Sequence, residues 1–329
     1  MSEKIRIGMI GCGGIAHHHV KRLMEIPEAH IVALNDTSDA SIARMHEKFP
    51  QTSGLPVFTD YREMLDSVEL DAVEIATPHT LHFQQAMDSI DRGLHVLLEK
   101  PMVCTVDHAK KLIANAKEKD RILVLSYQRH YQPQFRYMKK AIAEGQLGRI
   151  TYISALQCQA WKKMTANSWR QNPALSGGGQ LNDSGSHLLD IILWITGLAV
   201  DEVYGYIDNC GVPVDINSAL SLKFANGAQG TVSVVGDSVC GWYEDFTIWG
   251  EKGVLFYRNG QLSHCGPDGQ VFQPDDMPEA GNPDKNLIDA ILGRDIVWAP
   301  PVCGLRVIEL TEAAWKSAKV GKPVKVESP

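Results

Sequence analysis

The chain has 329 residues, 44% hydrophobic and 22% charged, with a net charge of −7 at neutral pH. A single core stops growing at roughly 250–300 residues, so two domains are expected, with the composition of an ordinary globular enzyme. The acidic balance argues against a nucleic-acid-binding or anionic-membrane surface. Seven cysteines without a close-spaced pair argue against a disulfide framework or a zinc knuckle and fit a reducing compartment. The apolar run over 5–10 is too short for a signal or a membrane span, so a cytoplasmic protein is expected.

In chain order, short apolar runs bounded by turn signals predict buried strands at 5–10, 30–34, 56–58, 72–76, 95–98 and 122–126. Between them, helical spacing predicts helices over 17–24, 39–48, 81–92 and 106–117. Repeated βα units build a parallel sheet with helices on both faces, so residues 1–126 are assigned to a doubly wound α/β domain. The pattern changes after Arg129. A helix over 133–143 opens on Pro133 and stops at Gly145, and a long strand follows over 150–159. A loop rich in Gly, Asn and Ser leads to a helix over 184–196. Strands are expected at 218–224, 229–235, 246–249 and 254–257. Asn226-Gly227 predicts a type I′ hairpin, whose two central residues both take positive φ. Helices over 286–292 and 304–319 complete a second, α+β domain, residues 127–329, with a mostly antiparallel sheet.

Gly11-Cys12-Gly13-Gly14-Ile15-Ala16 follows the first strand and opens the first helix, matching GxGxxA. The first glycine makes the tight turn, the second admits a pyrophosphate to the backbone, and the small sixth residue packs helix on strand. Asp36, at the end of the second strand, stands about 20 residues past the motif, where an acid holds a ribose 2′-hydroxyl and repels a 2′-phosphate. NAD is therefore expected over NADP. The plainer reading of Asp36 is a helix N-cap, a role Asp39 can also fill. His17, His18 and His19 diverge by about 100° each on a helix, so no metal site is expected, and His19 is a candidate for burial.

Glu99-Lys100-Pro101 ends a predicted parallel strand, where ligands of open α/β sheets bind. Lys100 there can donate to, or share a proton with, a substrate oxygen; a solvated strand-end lysine is the alternative. Asp183 and His187, four apart at a helix start, share one face. Asp183 suits an N-cap, His187 a proton acceptor near neutral pH, and either Asp183 or Asp190 can orient the imidazole. A capping Asp and a satisfied core His explain the same residues. Gly177-Gly178-Gly179 allows close approach to a flat ligand, and Trp169-Arg170 can cover a nicotinamide. Gln157, Gln159 and Trp161 alternate, as a carbohydrate wall or an ordinary strand face would. Lys162-Lys163 suits an acidic substrate or a solvated loop.

Taken together, these motifs resemble those of the Gfo/Idh/MocA oxidoreductases. The likeness runs from GCGGIA and Asp36 through Ala76-Thr77-Pro78 with His82, Gly93-Leu94-His95-Val96 and Glu99-Lys100-Pro101. It continues with Tyr127-Gln128-Arg129, Trp169-Arg170, the stretch from Gly177 to His187, and the last two helices. The resemblance implies a Rossmann domain plus an α+β domain whose open sheet makes homodimers or homotetramers. It implies that Lys100 orients the reacting hydroxyl, that His187 is the base or acid, and that Asp183 is its partner and a substrate anchor. It implies that Thr77, Pro78 and His82 line the ribose and nicotinamide, and that Glu99, Lys100, Arg129, Trp169 and Arg170 join the cofactor set. His79 stands where the family more often carries Asn, and the substrate face, including Gln157 and Trp242, is variable.

The expected activity is hydride transfer between NAD and a secondary alcohol of a sugar, sugar derivative or cyclitol. The rivals are a lyase or glycoside hydrolase that oxidises its substrate transiently on retained NAD, and a non-catalytic NAD or sugar sensor.

Overall fold

The computed structural model describes residues 4–327 and divides into two units. The first unit holds the chain through Val103, then Asp107–Gln128 and Gly281–Val302. The second holds Cys104–Val106, Arg129–Ala280 and the chain from Cys303 on. The chain passes into the second unit at Arg129, and Gly281–Val302 rejoins the first.

The first unit alternates β1 (Ile5–Ile10), α1 (Ala16–Leu23), β2 (Ala29–Asn35), α2 (Asp39–Lys48), β3 (Val57–Phe58), α3 (Tyr61–Ser67), β4 (Ala72–Ile75), α4 (His82–Asp91), β5 (His95–Leu98), α5 (Val106–Glu118) and β6 (Leu123–Leu125). The strands lie in the order β3-β2-β1-β4-β5-β6, every neighbouring pair parallel. The order reverses between β1 and β4, which opens a crevice at the carboxyl ends of these two strands. Ile7, Met9, Val20, Leu34, Met45, Leu97 and Val124 pack one core cluster, each contributing about 1.5–3 kcal/mol of burial. Helix α3 was not expected. It is two turns long, too short for an apolar stripe to show, and Asp60 caps it by accepting the Arg62 N–H.

The second unit continues with α6 (Pro133–Ala143), β7 (Ile150–Gln159), α7 (Trp161–Met164), α8 (Pro173–Ser176), α9 (Gly185–Thr196), β8 (Val200–Asp208), β9 (Asn217–Phe224), β10 (Gln229–Val235), β11 (Trp242–Gly250), β12 (Val254–Arg258), β13 (Gln261–Cys265) and β14 (Val271–Phe272). The chain then returns to the first unit as α10 (Pro283–Ile291), whose Leu287 and Ile288 join the core there. It finishes with α11 (Pro301–Val320) and β15 (Val324–Lys325).

The nine-stranded sheet runs β14-β13-β12-β11-β7-β10-β9-β8-β15, antiparallel throughout except for the parallel pair β7 and β10. Its strands alternate with period two. Ile153, Ala155, Gln157, Leu220, Leu222, Phe246 and Ile248 are buried, while Tyr152, Ser221, Lys223 and Tyr206 are exposed. The β9–β10 turn differs from the expected type I′. Gly227 has φ +85° but Asn226 is not among the residues with positive φ. Its side chain instead accepts the Ala228 N–H and donates to the Ile150 carbonyl, so the turn is stabilised by an Asn side chain ahead of a left-handed glycine. Among the described residues no helix is long and apolar enough to cross a membrane.

Candidate functional site

The turn after β1 is shaped as the glycine motif requires. Gly11 has φ +92°, and a Cβ there would lie 2.8 Å from the Ala76 carbonyl, so only glycine fits. Gly13 and Gly14 have nothing within 4 Å of where a Cβ would stand, an open cradle at the start of α1. Ile15 at that helix start provides no side-chain cap, and Ala16 is fully buried. Helix N–H groups at such an end suit a pyrophosphate. Asp36 is tied to the same turn, its Oδ2 accepting the Cys12 N–H at 2.7 Å and its Oδ1 the Ser38 N–H at 2.8 Å. Neither Asp36 nor Asp39 caps α2; Ser38 does, accepting from Ser41. Asp36 is left half-buried at the mouth of the turn. Cys12 is a core residue, its thiol pushed up to about 12 by burial and then by the Asp36 charge.

The loop after β4 is braced from inside. Thr77 Oγ1 donates to Gln85, and the His82 ring lies 2.9 Å from the Thr77 carbonyl and 2.8 Å from the Pro101 carbonyl. His82 is fully buried, and burial holds its imidazole below the usual range despite both carbonyls. It shapes the Thr77-Pro78 loop and the Lys100-Pro101 turn and exposes no ring atom, which corrects its placement among cofactor contacts. Glu99 is corrected likewise. It is buried, with Oε2 accepting the Lys100 backbone N–H at 3.0 Å and Oε1 lying 3.0 Å from His19 Nε2. Thr77, Pro78 and Lys100 remain half-buried. The three consecutive histidines diverge as expected, with only His19 buried.

In the second unit, Asp183 Oδ2 accepts from Trp161 Nε1 and Arg170 Nε, both at 2.9 Å. Two donors on one oxygen fix the carboxylate's orientation. Asp183 is not the N-cap of α9. Ser184 stands there and no side chain caps the helix. His187 sits half-buried in the first turn of α9. Asp190 lies 2.8 Å from His130 Nε2 in a buried pair. Trp161 opens α7 and supports Asp183 from below instead of sharing a sheet face with Gln157 and Gln159. Gln157 is fully buried, directly opposite Glu244 of β11. Arg129 forms a buried ion pair with Glu244 at 2.5 Å. That partner counts against Arg129 as a cofactor contact. Arg170 also stacks over Trp169, its guanidinium carbon 4.4 Å from the ring centre.

Two of the three glycines before Asp183, Gly178 and Gly179, pack against protein. Gly177 ends α8 at φ +66°. A Cβ on Gly178 would stand 2.6 Å from Trp315, and one on Gly179 only 1.9 Å from the Asp215 carbonyl oxygen. Gly178 and Gly179 thus serve close packing on Trp315 and Asp215. Asp215, which no motif marks, accepts the Gly179 and Leu181 N–H groups at 2.8 Å each and Trp315 Nε1 at 3.2 Å. Burial raises its carboxyl against these donors.

An open glycine cradle, a tethered acid after β2 and a crevice at the sheet's reversal point are the features of a dinucleotide-binding Rossmann domain. Comparison with known proteins agrees. The model described as an oxidoreductase family with an NAD-binding Rossmann fold matches residues 5–127, and the GFO/IDH/MocA C-terminal domain model matches 135–256. The chain belongs to the Gfo/Idh/MocA oxidoreductases. It is 26% identical over 293 residues to a levoglucosan dehydrogenase of Pseudarthrobacter phenanthrenivorans, covering 78% of this chain and 74% of the relative. It is 25% identical over 264 residues to a myo-inositol 2-dehydrogenase of Thermotoga maritima, covering 78% and 75%. The fold matches the WlbA dehydrogenase of Bordetella pertussis, solved with NADH and UDP-GlcNAcA, with a TM-score of 0.87, 24% identity, and coverage of 99% of this chain and 100% of that one.

Proposed function

We propose that the protein transfers hydride between NAD and a secondary ring alcohol of a sugar, sugar derivative or cyclitol. The observation that carries this is the Asp183 carboxylate, fixed by two donors four residues before His187, in a chain whose relatives are named for a sugar and a cyclitol. NAD, when bound, accepts the hydride. His187 takes the hydroxyl proton, Lys100 stabilises the developing oxyanion, and Asp183 holds a neighbouring hydroxyl or the imidazole. Gly13, Gly14 and the N-terminus of α1 receive the pyrophosphate, Asp36 grips the adenosine ribose, and Thr77, Pro78, Trp169 and Arg170 line the nicotinamide end. We place the protein in the cytoplasm, as its seven unpaired cysteines favour. The open face of the nine-stranded sheet, with exposed Tyr152 and Tyr206, is the surface for a homodimer or homotetramer.

The test is NADH formation against inositols, aldoses, sugar acids and simple glycosides, with NADP in parallel. Turnover of one polyol class with NAD is expected, and Lys100→Met or His187→Asn should lower kcat by about 100- to 10,000-fold while NAD still binds. Preference for NADP would overturn the role of Asp36. Co-purified NAD without net NADH on any substrate would favour a transient-oxidation lyase or hydrolase, or a sensor.

A further inference from the structure

Beneath the Lys100 turn lies a buried cluster of five charged or ionisable side chains, all within the first unit. His19, on α1, is fully buried. Its Nδ1 lies 2.8 Å from Asp284 Oδ1 on α10 and its Nε2 3.0 Å from Glu99 Oε1 at the end of β5. Arg22, one turn on along α1, donates to the other oxygen of Asp284, and its Nη2 approaches His19 Nδ1 at 3.1 Å. Glu74, in the middle of β4, reaches within 3.5 Å of His19 Nδ1. The Ser126 hydroxyl after β6 and the Lys100 charge face Glu99 as well.

What separates His19 from His82, whose two acceptors are neutral carbonyls, is the negative charge at both ring nitrogens, which favours the doubly protonated ring over burial, so His19 is an imidazolium. His19 and Arg22 then balance Glu99 and Asp284, charge for charge. Glu74 is the third acid in this shell, fully buried, with neither oxygen in a hydrogen bond. Burial first, then the Asp284 charge, pushes its carboxyl up to about 8, against His19 and Arg22. A neutral Glu74 keeps the cluster balanced. Burial also lowers the His19 ring's affinity for its proton, but Asp284 and Glu99 outweigh it and raise the imidazole well above the usual range.

We propose that His19 is a positioning residue for Lys100: an imidazolium clamped between Asp284 and Glu99 that fixes the carboxylate holding the Lys100 backbone. The inference rests on the reading that Lys100 takes part in the reaction. It gives α10, which returns to the first unit from far along the chain, a role in placing that lysine. Burial alone would raise Glu99; the hydrogen bond and charge of His19, with Lys100 and Ser126, bring it down to about 2. Glu99 is therefore a carboxylate throughout the working pH range. Without the imidazolium, burial prevails and Glu99 takes up a proton as the pH falls.

The test compares kcat/KM against pH for the wild type, His19→Gln and Lys100→Met. Gln keeps one N–H donor for Glu99 and loses the charge. The expected result for His19→Gln is a kcat lowered by about 10- to 100-fold, an unchanged KM for NAD, and a new acid-side loss of activity between about pH 5 and 7. A uniform drop that keeps the wild-type profile would overturn the inference. An active Lys100→Met would instead overturn the underlying reading of Lys100, so the two failures are told apart. A second measurement needs no variant. In the wild-type protein, imidazole 1H–15N spectra should show one of the twelve histidines keeping both ring N–H protons at a pH where an ordinary imidazole has lost one. Absence of such a signal would also overturn the proposal.

Discussion

Gly13 and Gly14 in the first unit look onto open space, whereas Gly178 and Gly179 in the second press against Trp315 and the Asp215 carbonyl. Both loops are glycine-rich, and both precede a helix. The first uses glycine to leave room for something the chain does not supply. The second uses it so that two parts of one unit can touch, and Asp215 then takes two of its N–H groups. A glycine-rich loop thus points to a ligand only where the space over it is empty, a property of neighbours distant in sequence.

Adding a methyl group to each loop breaks this comparison if it is wrong. Gly179→Ala forces a Cβ to within 1.9 Å of the Asp215 oxygen, so the loop must move. We expect a loss of about 3 kcal/mol in stability, seen as a lower Tm, and a fall in kcat of about 100-fold from the displaced Asp183. NAD affinity, measured by fluorescence titration, should hold. Gly13→Ala should do the reverse. The folded protein has room for the methyl, so Tm should stay within about 0.5 kcal/mol of stability, while NAD binding weakens by about tenfold, near 1.4 kcal/mol. Similar effects of both substitutions on Tm and on NAD would remove the distinction.

The smallest effect concerns pH, and it opposes two acids of one cluster. Glu74 has its folded value raised to about 8 from an ordinary 4.5. The folded state therefore binds the proton more tightly, and stability from this group is present below about pH 4.5 and lost as the pH rises toward 8. Glu99 is lowered to about 2, so its contribution is present above 4.5 and lost as the pH falls. Urea denaturation of Glu74→Gln across pH 5–9 should show a flatter stability curve than the wild type on the alkaline side. An unchanged slope would mean that Glu74 is ionised in the fold.

Much of the first unit was legible because its signals are local. Apolar runs of strand length, helical spacing and the GxGxxA turn are written in consecutive residues, and β1, α2 and β5 fall where the pattern places them. The strand it follows marks Lys100 as a candidate, and their spacing marks Asp183 and His187. The buried cluster went unseen although two traces of it were present. One is Glu74 inside the otherwise apolar run of β4; the other is His19, flagged for burial without a partner. Their partners Glu99 and Asp284 stand 80 and 265 residues from His19, beyond any periodicity. Asp215, Trp161 under Asp183, and the Arg129–Glu244 pair escaped for the same reason.

The sequence by itself determined the doubly wound sheet, the glycine cradle with its acid, and the residue types from which a dehydrogenase can be built. Backbone sterics, hydrophobic periodicity and the reach of a turn act over a few residues and leave their mark there. The tertiary structure alone decided which glycines face empty space, that Glu99 and His82 brace the site from inside, that Asp190 is taken by His130, and that α10 completes the first unit. Burial and ion pairing depend on what the whole chain brings together.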